Sequence, residues 1–432
     1  MTDLLDAYKA SATQLLIDPD NPENLTNHYT LLSTTPRSPA QLALAKRAFQ
    51  VAPTSFIAAF NYASALSRGG FDCRAQLRIA RDLSMTAESD AAVLHHMGLA
   101  EHDQGNYAAA LHFYEQAARI DKRPTLPQSI ALAKMAQGRL KEGLYEFEVQ
   151  HFVPPRKPIT DSGIPWWRGE PLAGKRVILA HEQGFGDTLQ FIRFAPLLRE
   201  RCASLVFSGS APIAPLIAEQ FDDVFDDIIS EDPPFEADYI TTPLASFALM
   251  GLEYKDVSGL AYMRANPISL PSRGCLKVGL SWKGSPGFQD DALRSSSLAA
   301  FAPLFDMPGL AFYSLQVRPG PQEITNMGLD GFIADLGSTF GDWRDTASAI
   351  AAMDVIVSTD SANAHMAGAI GKPVLLLLGR RPCWRWGPST SEGRTPWYTG
   401  HKIYRQRVVD EWPMDQVKAD LSRLVKAVSS GT

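Results

Sequence analysis

The sequence predicts an all-α repeat region followed by two α/β halves, each a parallel sheet with helices on both faces. Three observations carry this assignment. Over roughly the first 150 residues, apolar positions recur at helical spacing with almost no strand-like alternation. From Val177 onward, short apolar runs alternate with helical stretches, the pattern of parallel sheets covered on both faces. Two segments rich in Pro and Gly or Ser, Phe152 to Gly174 and Asn266 to Gly274, divide the chain into 1–151, 152–270 and 271–432.

The first segment repeats itself. A shift of 33 residues places Gly105 on Gly138, Tyr107 on Leu140, Ala110 on Gly143 and Tyr114 on Phe147. That is close to the tetratricopeptide period of about 34 residues, and Gly98, Ala110, Tyr114 and Ala117 stand where such repeats want small and aromatic residues. An earlier pair, Phe60 to Ala80, matches poorly, so three or four degenerate hairpins are expected. Stacked hairpins form a concave surface suited to a peptide or protein. A helical brace for the rest of the chain is the alternative.

Strands are expected in the second segment at Val177–Ala180, Ser204–Ser208, Val224–Ile229 and Tyr239–Thr241. In the third they are expected at Lys277–Trp282, Ala311–Leu315, Phe332–Ala334, Val355–Ser358 and Val374–Leu378. Two loops at strand ends carry chemistry. Ser358 to Ser361 turns from a strand into a helix of small residues, Ala362 to Ile370, capped by Gly371. The free N–H groups at such a helix start, with its partial positive charge, suit a phosphate. Asp360 stands at the carboxyl end of its strand, where open α/β sheets place ligand contacts. An ordinary crossover with closely packed alanines would look the same.

The second loop, His181-Glu182-Gln183-Gly184-Phe185-Gly186-Asp187, follows the strand Arg176–Ala180 and precedes a helix over Thr188–Arg201. Gly184 and Gly186 permit close approach of the backbone to a ligand. Leu189 occupies the position where a dinucleotide fingerprint needs a small residue, and no Lys-Ser/Thr pair makes a P-loop. The loop therefore presents Asp187, unless Asp187 is simply the helix cap before Thr188.

Together, HEQGFGDTLQFIRFAPLL, GLSWKGSP, FYSLQ, DWRDTASAIAAMDVIVSTDSANAHMAGAIGKPV, and WRW followed by TPWY resemble the bacterial tetratricopeptide-linked glycosyltransferases. Those are similar to lipopolysaccharide heptosyltransferases and, more distantly, to O-GlcNAc transferase. The resemblance covers roughly residues 165 to 425, with a looser helical match before it. It implies the GT-B fold: two Rossmann-like halves facing across a cleft, with the last helix, Pro413–Val428, crossing back onto the first half. It also implies transfer of a sugar from a nucleotide-sugar donor to an acceptor hydroxyl. Asp187 matches the family's base, with Glu182 and His181 in reserve, and Glu182, Gln183, Gly184 and Gly186 form the acceptor-side loop. Lys283 matches the phosphate-contacting lysine, although an isolated loop lysine is ordinarily just solvated.

Backbone N–H groups of Ser361, Ala362, Asn363 and Ala364 are expected to face the donor phosphates, with Asp360 and His365 alongside. His365 has packing beneath the turn as its alternative. Gln316 is expected to face the nucleotide or sugar, and Arg294 to assist with the phosphates. Asp290-Asp291 does not follow a strand and is not read as a metal pair, so no metal or other cofactor is expected. Trp384-Arg385-Trp386 and Trp397-Tyr398 either close over the sugar or fill the core.

Composition sets bounds. The chain has 432 residues, 45% hydrophobic and 20% charged, and a net charge of −6 that gives nucleic-acid binding no support. The four cysteines, Cys73, Cys202, Cys275 and Cys383, form no CxxC pair and read as isolated thiols in a reducing compartment. MTDLLDAYKA lacks a secretory pattern, and no apolar run reaches membrane-spanning length, so a cytoplasmic protein is expected. Three functions fit: a protein glycosyltransferase whose repeats hold the acceptor, a heptosyltransferase-like enzyme acting on a lipid or saccharide, and a non-catalytic binding protein. Flagellin is one acceptor the resemblance implies, since similar repeat-linked enzymes modify it.

Overall fold

A computed structural model describes residues 2–34, 38–123, 125–150, 163–181, 184–230, 236–271, 274–285, 291–317, 320–380, 383–387, 393–407 and 411–430. The chain divides into two compact units, 1–137 and 138–432.

The first unit is built of helices α1 (Thr2–Ile17), α2 (Pro22–Ser33), α3 (Pro39–Val51), α4 (Phe56–Arg68), α5 (Arg74–Asp82), α6 (Ala87–Asp103), α7 (Tyr107–Ile120) and α8 (Thr125–Ala136). Each packs on the next in the chain. Polar side chains start them: Asn21 Oδ1 accepts the Glu23 and Asn24 amides at 3.0 and 3.1 Å, and Thr86 forms a reciprocal cap with Ser89. Gly70 and Gly105 take positive φ of 74° and 80° just before a new helix, as does Gly138 at 86°, 33 residues after Gly105. The sequence repeat is thus a repeat of backbone conformation. Gly98 lies beneath the Tyr114 ring, where a Cβ would come within 2.4 Å of a ring carbon. The small and aromatic positions of the repeat are one contact between α6 and α7.

The second unit opens with α9 (Leu140–Leu144) and a π-helical segment, Tyr145–Gln150. Its first sheet comprises β1 (Arg176–Ala180), β2 (Ser204–Gly209), β3 (Asp227–Ser230) and β4 (Tyr239–Thr241), all parallel, in the order β3-β2-β1-β4. Between these strands run α10 (Phe185–Phe191), α11 (Ala195–Arg199) and α12 (Ala214–Gln220), with α13 (Pro243–Leu249) after β4. The second sheet comprises β5 (Leu276–Ser281), β6 (Leu310–Ser314), β7 (Ile333–Asp335), β8 (Val355–Thr359), β9 (Val374–Leu378) and β10 (His401–Arg405). Its order, β10-β9-β8-β5-β6-β7, is that of a doubly wound α/β sheet, and every pairing is parallel. Helices α14 (Gly320–Asn326), α15 (Trp343–Ala352), α16 (Ala362–Ala369) and α17 (Met414–Ser430) accompany it. Both β8 and β9 are buried along their whole length, which is why they read as continuous apolar runs.

Several elements depart from expectation. The strand expected at Val224–Ile229 begins only at Asp227, because Val224 and Phe225 are buried in the preceding turn, with Phe225 against Phe207 and Phe221. The helix expected over Thr188–Arg201 starts at Phe185 and changes to a 3₁₀ turn at Ile192–Phe194. Pro196, with no N–H to donate, lies in the first turn of the next helix. Strand β10 lies outside the strands expected from the sequence. The last helix, expected to return to the first half, buries Met414, Val417 and Leu421 in the second-sheet core with Leu276, Val278 and Phe301. Among the described residues, no helix is long and apolar enough to cross a membrane.

Candidate active site

The winding order of the second sheet reverses between β5 and β8, which lie side by side and parallel with Ser281 opposite Ser358. Such a switch point leaves a crevice at the strands' carboxyl ends. Hydroxyls meet there: Ser358 Oγ lies 3.0 Å from Ser361 Oγ, and Ser281 Oγ lies 3.4 Å from it. Asn363, in the first turn of α16, donates from Nδ2 to Ser281 Oγ at 3.0 Å and to the Leu315 carbonyl at 3.1 Å. Its side chain thus anchors the helix start to the ends of β5 and β6. Ser361 precedes α16 in extended conformation, and its hydroxyl turns to the other serines rather than to the helix amides.

Of the N–H groups expected to face a ligand, that of Ala364 donates to the Ser361 carbonyl at 3.1 Å. Those of Ala362 and Asn363 have no hydrogen-bond partner among the described residues. Asp360 is mostly buried and lies within the electrostatic field of Arg385.

Gln316, expected against the ligand, is buried and structural in its observed bonds. Its Oε1 accepts the amides of Trp282 at 3.2 Å and Lys283 at 2.9 Å, fixing the turn after β5. Lys283 Nζ pairs with Glu323 of α14. The Glu323 carboxylate also takes Trp282 Nε1 and the Leu298 amide, each at 3.0 Å. Arg294 Nε meets Asp291 Oδ1 at 3.1 Å, so Asp291 serves as a partner for a cation. Asp290 lies outside the described residues.

The loop after β1 approaches from the first sheet, whose own reversal falls between β1 and β4. Glu182 and Gln183 lie outside the described residues. His181 bonds through its amide to the Ser208 carbonyl at 2.8 Å, and its ring lies 6.3 Å from that of Phe185. Gly184 is the N-cap of α10, so Asp187 falls inside the first turn and is not the cap. Gly186 packs on α16: a Cβ there would stand 3.1 Å from His365 Cδ2 and 3.7 Å from the Ala362 Cα. The glycine's value at this position is close helix–helix approach. Both oxygens of Asp187 face the guanidinium of Arg385, with Nε on Oδ1 and Nη2 at 3.3 Å from Oδ2. The Arg385 carbonyl in turn accepts Gln190 Nε2 at 2.8 Å.

An aromatic shell backs this contact. His365 stacks on Trp386 at 4.3 Å with rings 8° apart, and its Nδ1 lies 3.0 Å from Tyr398 Oη. His401 Nε2 lies 3.0 Å from the Ala364 carbonyl. Burial, joined by the charges of His401 and nearby arginines, holds His365 well below the usual histidine range, and burial brings His401 down to about 4. Both imidazoles are therefore neutral at pH 7. Arg193 lies over the rings of Tyr262 at 4.1 Å and Tyr398 at 4.7 Å, and donates to the carbonyls of Gln190 and Trp397 at 2.9 and 3.0 Å. Trp386, Trp397 and Tyr398 are almost wholly buried and thus belong to the core.

The structure therefore brings Asp187, Gly186, His365 and the first residues of α16 together, with Lys283, Gln316 and Asn363 at the neighbouring strand ends. Sequence reasoning did not assign Arg385, Glu323 or Arg193. Arg385 stood in a motif already singled out for its tryptophans. Glu323 had no comparable signal, since it meets Lys283 only through the fold. Among the described residues, no group of three or more His, Cys, Asp or Glu side chains is placed to hold a metal ion.

No protein-family profile matches the chain. It is similar to the protein FlbA of Caulobacter vibrioides, with 26% identity over 375 residues, covering 78% of this chain and 60% of FlbA. The chain thus spans about 60% of the length of that relative. Among solved structures, it is similar to the ADP-heptose LPS heptosyltransferase II of E. coli at 12% identity and a TM-score of 0.41, covering 58% of this chain and 98% of that one. A family 9 glycosyl transferase from Veillonella parvula DSM 2008 gives 11% identity and a TM-score of 0.40, with 58% and 97% covered. The MamA protein gives 23% identity and a TM-score of 0.30, with 34% and 80% covered.

Proposed function

We propose that this chain is an inverting, metal-independent glycosyltransferase of GT-B type that moves a sugar from a nucleotide-sugar to a Ser or Thr hydroxyl of a protein. The repeats hold that acceptor, and flagellin is one candidate. The reading rests on the sequence motifs, and one observation supports it above the rest. The contact of Gly186 with His365 and Ala362 puts Asp187 beside a helix start whose Ala362 and Asn363 amides have no partner among the described residues. A base and an anion-binding end are the two parts a displacement at an anomeric carbon needs.

In that displacement Asp187 takes the proton of the acceptor hydroxyl as its oxygen bonds to the anomeric carbon. The bond from that carbon to the donor phosphate breaks, and its electron pair leaves with the nucleotide. The amides of Ala362 and Asn363 and the α16 dipole meet the charge on the departing phosphates, with Lys283 and Arg294 nearby. A single in-line displacement inverts the anomeric centre.

Calorimetry of the full chain against UDP, GDP, ADP and CMP tests the donor half of the proposal. At least one is expected to bind, and Ala362→Pro to weaken it at least ~30-fold by displacing the helix start with its N–H groups. Binding of none would remove the reading. Co-expression with flagellin tests the acceptor half: the intact mass of flagellin should rise by a sugar residue. If sugar reaches a lipid or saccharide instead, the heptosyltransferase-like alternative holds.

A further inference from the structure

We infer that Arg385 is shared: it holds Asp187 when no donor is bound and passes to the donor diphosphate when one arrives, so the base is released only with its substrate in place. The inference rests on the glycosyltransferase reading above and adds a ligand-binding residue to it. Arg385 occupies both oxygens of Asp187 and so neutralises the very charge a base must use. Its neighbour Trp386 stacks on His365 within the first two turns of α16, and Gly186, next to Asp187, touches Ala362 and His365. The guanidinium thus lies against Asp187 and within electrostatic reach of Asp360 and His365, the residues that flank the start of α16.

The neighbouring pair is more tightly built. Glu323 binds Lys283 while also accepting Trp282 Nε1 and the Leu298 amide, which fixes its carboxylate from three sides. Asp187 has no side-chain partner other than Arg385 among the described residues. The Arg385 main chain stays tied to α10 through Gln190 Nε2, so the side chain can change partner while its backbone remains in place. A guanidinium fork fits a diphosphate as well as it fits a carboxylate. The exchange replaces one ion pair by another and makes or breaks no covalent bond.

The test uses the full chain, with calorimetry of inorganic pyrophosphate and of UDP, GDP and ADP. Arg385→Gln should weaken pyrophosphate and the favoured nucleotide at least ~10-fold. Asp187→Asn should tighten both roughly 3-fold or more, because the guanidinium is no longer contested. The double variant should match Arg385→Gln. Circular dichroism checks each fold, and Arg385→Lys, which keeps charge without the fork, replaces the Gln variant if that one unfolds; an intermediate loss is then expected. Tightening absent in Asp187→Asn, or affinity unchanged on loss of the guanidinium, overturns the inference and makes Arg385 a fixed strut. If pyrophosphate responds as described while no nucleotide binds, the exchange stands and the nucleotide-sugar reading falls. If neither class of ligand binds, both fall.

Discussion

The imidazole of His365 lies flat on the indole of Trp386, 4.3 Å away and 8° from parallel, and donates to or accepts from Tyr398 Oη at 3.0 Å. A buried, stacked ring in a shell that also contains Arg193 and Arg385 is a poor place for a further positive charge.

Acid should therefore destabilise this unit. His401, in the same shell, titrates near 4 in the folded protein against 6.5 in a free chain, because burial disfavours its cation. Below pH 6.5 the unfolded chain binds a proton that the native state refuses, so stability is full above pH 6.5 and falls as pH drops toward 4. The loss from this residue is on the order of 3 kcal/mol. Urea midpoints between pH 7.5 and 4.5 measure it. A folded His401→Gln variant should show a shallower decline, and an identical slope would remove His401 as the cause.

In the first unit, Gly98→Ala should destabilise although alanine favours a helix by up to about 1 kcal/mol over glycine. The added Cβ would sit 2.4 Å from the Tyr114 ring, and overpacking of that kind costs about 1–3 kcal/mol. A thermal midpoint that rises on this substitution would contradict the contact as described. Gly98→Ala combined with Tyr114→Leu should recover part of the loss.

Asn363→Ala should lower stability by about 1–3 kcal/mol, since it strips a donor from the Leu315 carbonyl and from Ser281 Oγ. Denaturant titration gives the value. Asn363→Asp, with no N–H to offer either acceptor, should do no better, whereas Asn363→Gln keeps the donor and separates hydrogen bonding from size.

Asp187→Asn should reduce turnover at least ~100-fold, because the amide keeps the shape but cannot take the proton. A rate at the wild-type level would shift the base to Glu182 or His181. Chelator added to the wild-type assay should leave the rate unchanged, and recovery of a lost rate by added divalent cation would sink the metal-free chemistry.

Much of the α/β architecture was legible because parallel strands buried on both faces leave continuous apolar runs. Val355-Ile356-Val357 and Val374 to Leu378 are such runs, and both became strands. The helix start at Ala362 was legible from its small residues after a polar turn. Strand β10 was not, since HKIYR is short and half polar, although three of its five residues are buried. Val224 and Phe225 misled for the opposite reason: apolar and buried, they pack in a turn. The charge partners were hidden because Asp187 and Arg385 are 198 residues apart and Lys283 and Glu323 40 apart; the second pair meets because β5 lies beside β6, and the first only where α10 of one sheet packs on α16 of the other. The competing readings of Asp187 as a helix cap and of the aromatic cluster as core needed coordinates, because a cap is defined by backbone angles and a core by neighbours.

Arg193 has a consequence for how this unit tolerates its solvent. It joins the first-sheet helices to the segment before β10 through two carbonyls and the faces of Tyr262 and Tyr398, with no carboxylate among the described residues. Dissolved ions weaken attraction between partly exposed opposite charges, over a screening length of about 8 Å at physiological strength. They have far less purchase on a buried cation held by ring faces and carbonyl dipoles. In concentrated brine the clasp on Asp187 should slacken first, while the seam at Arg193 stays closed.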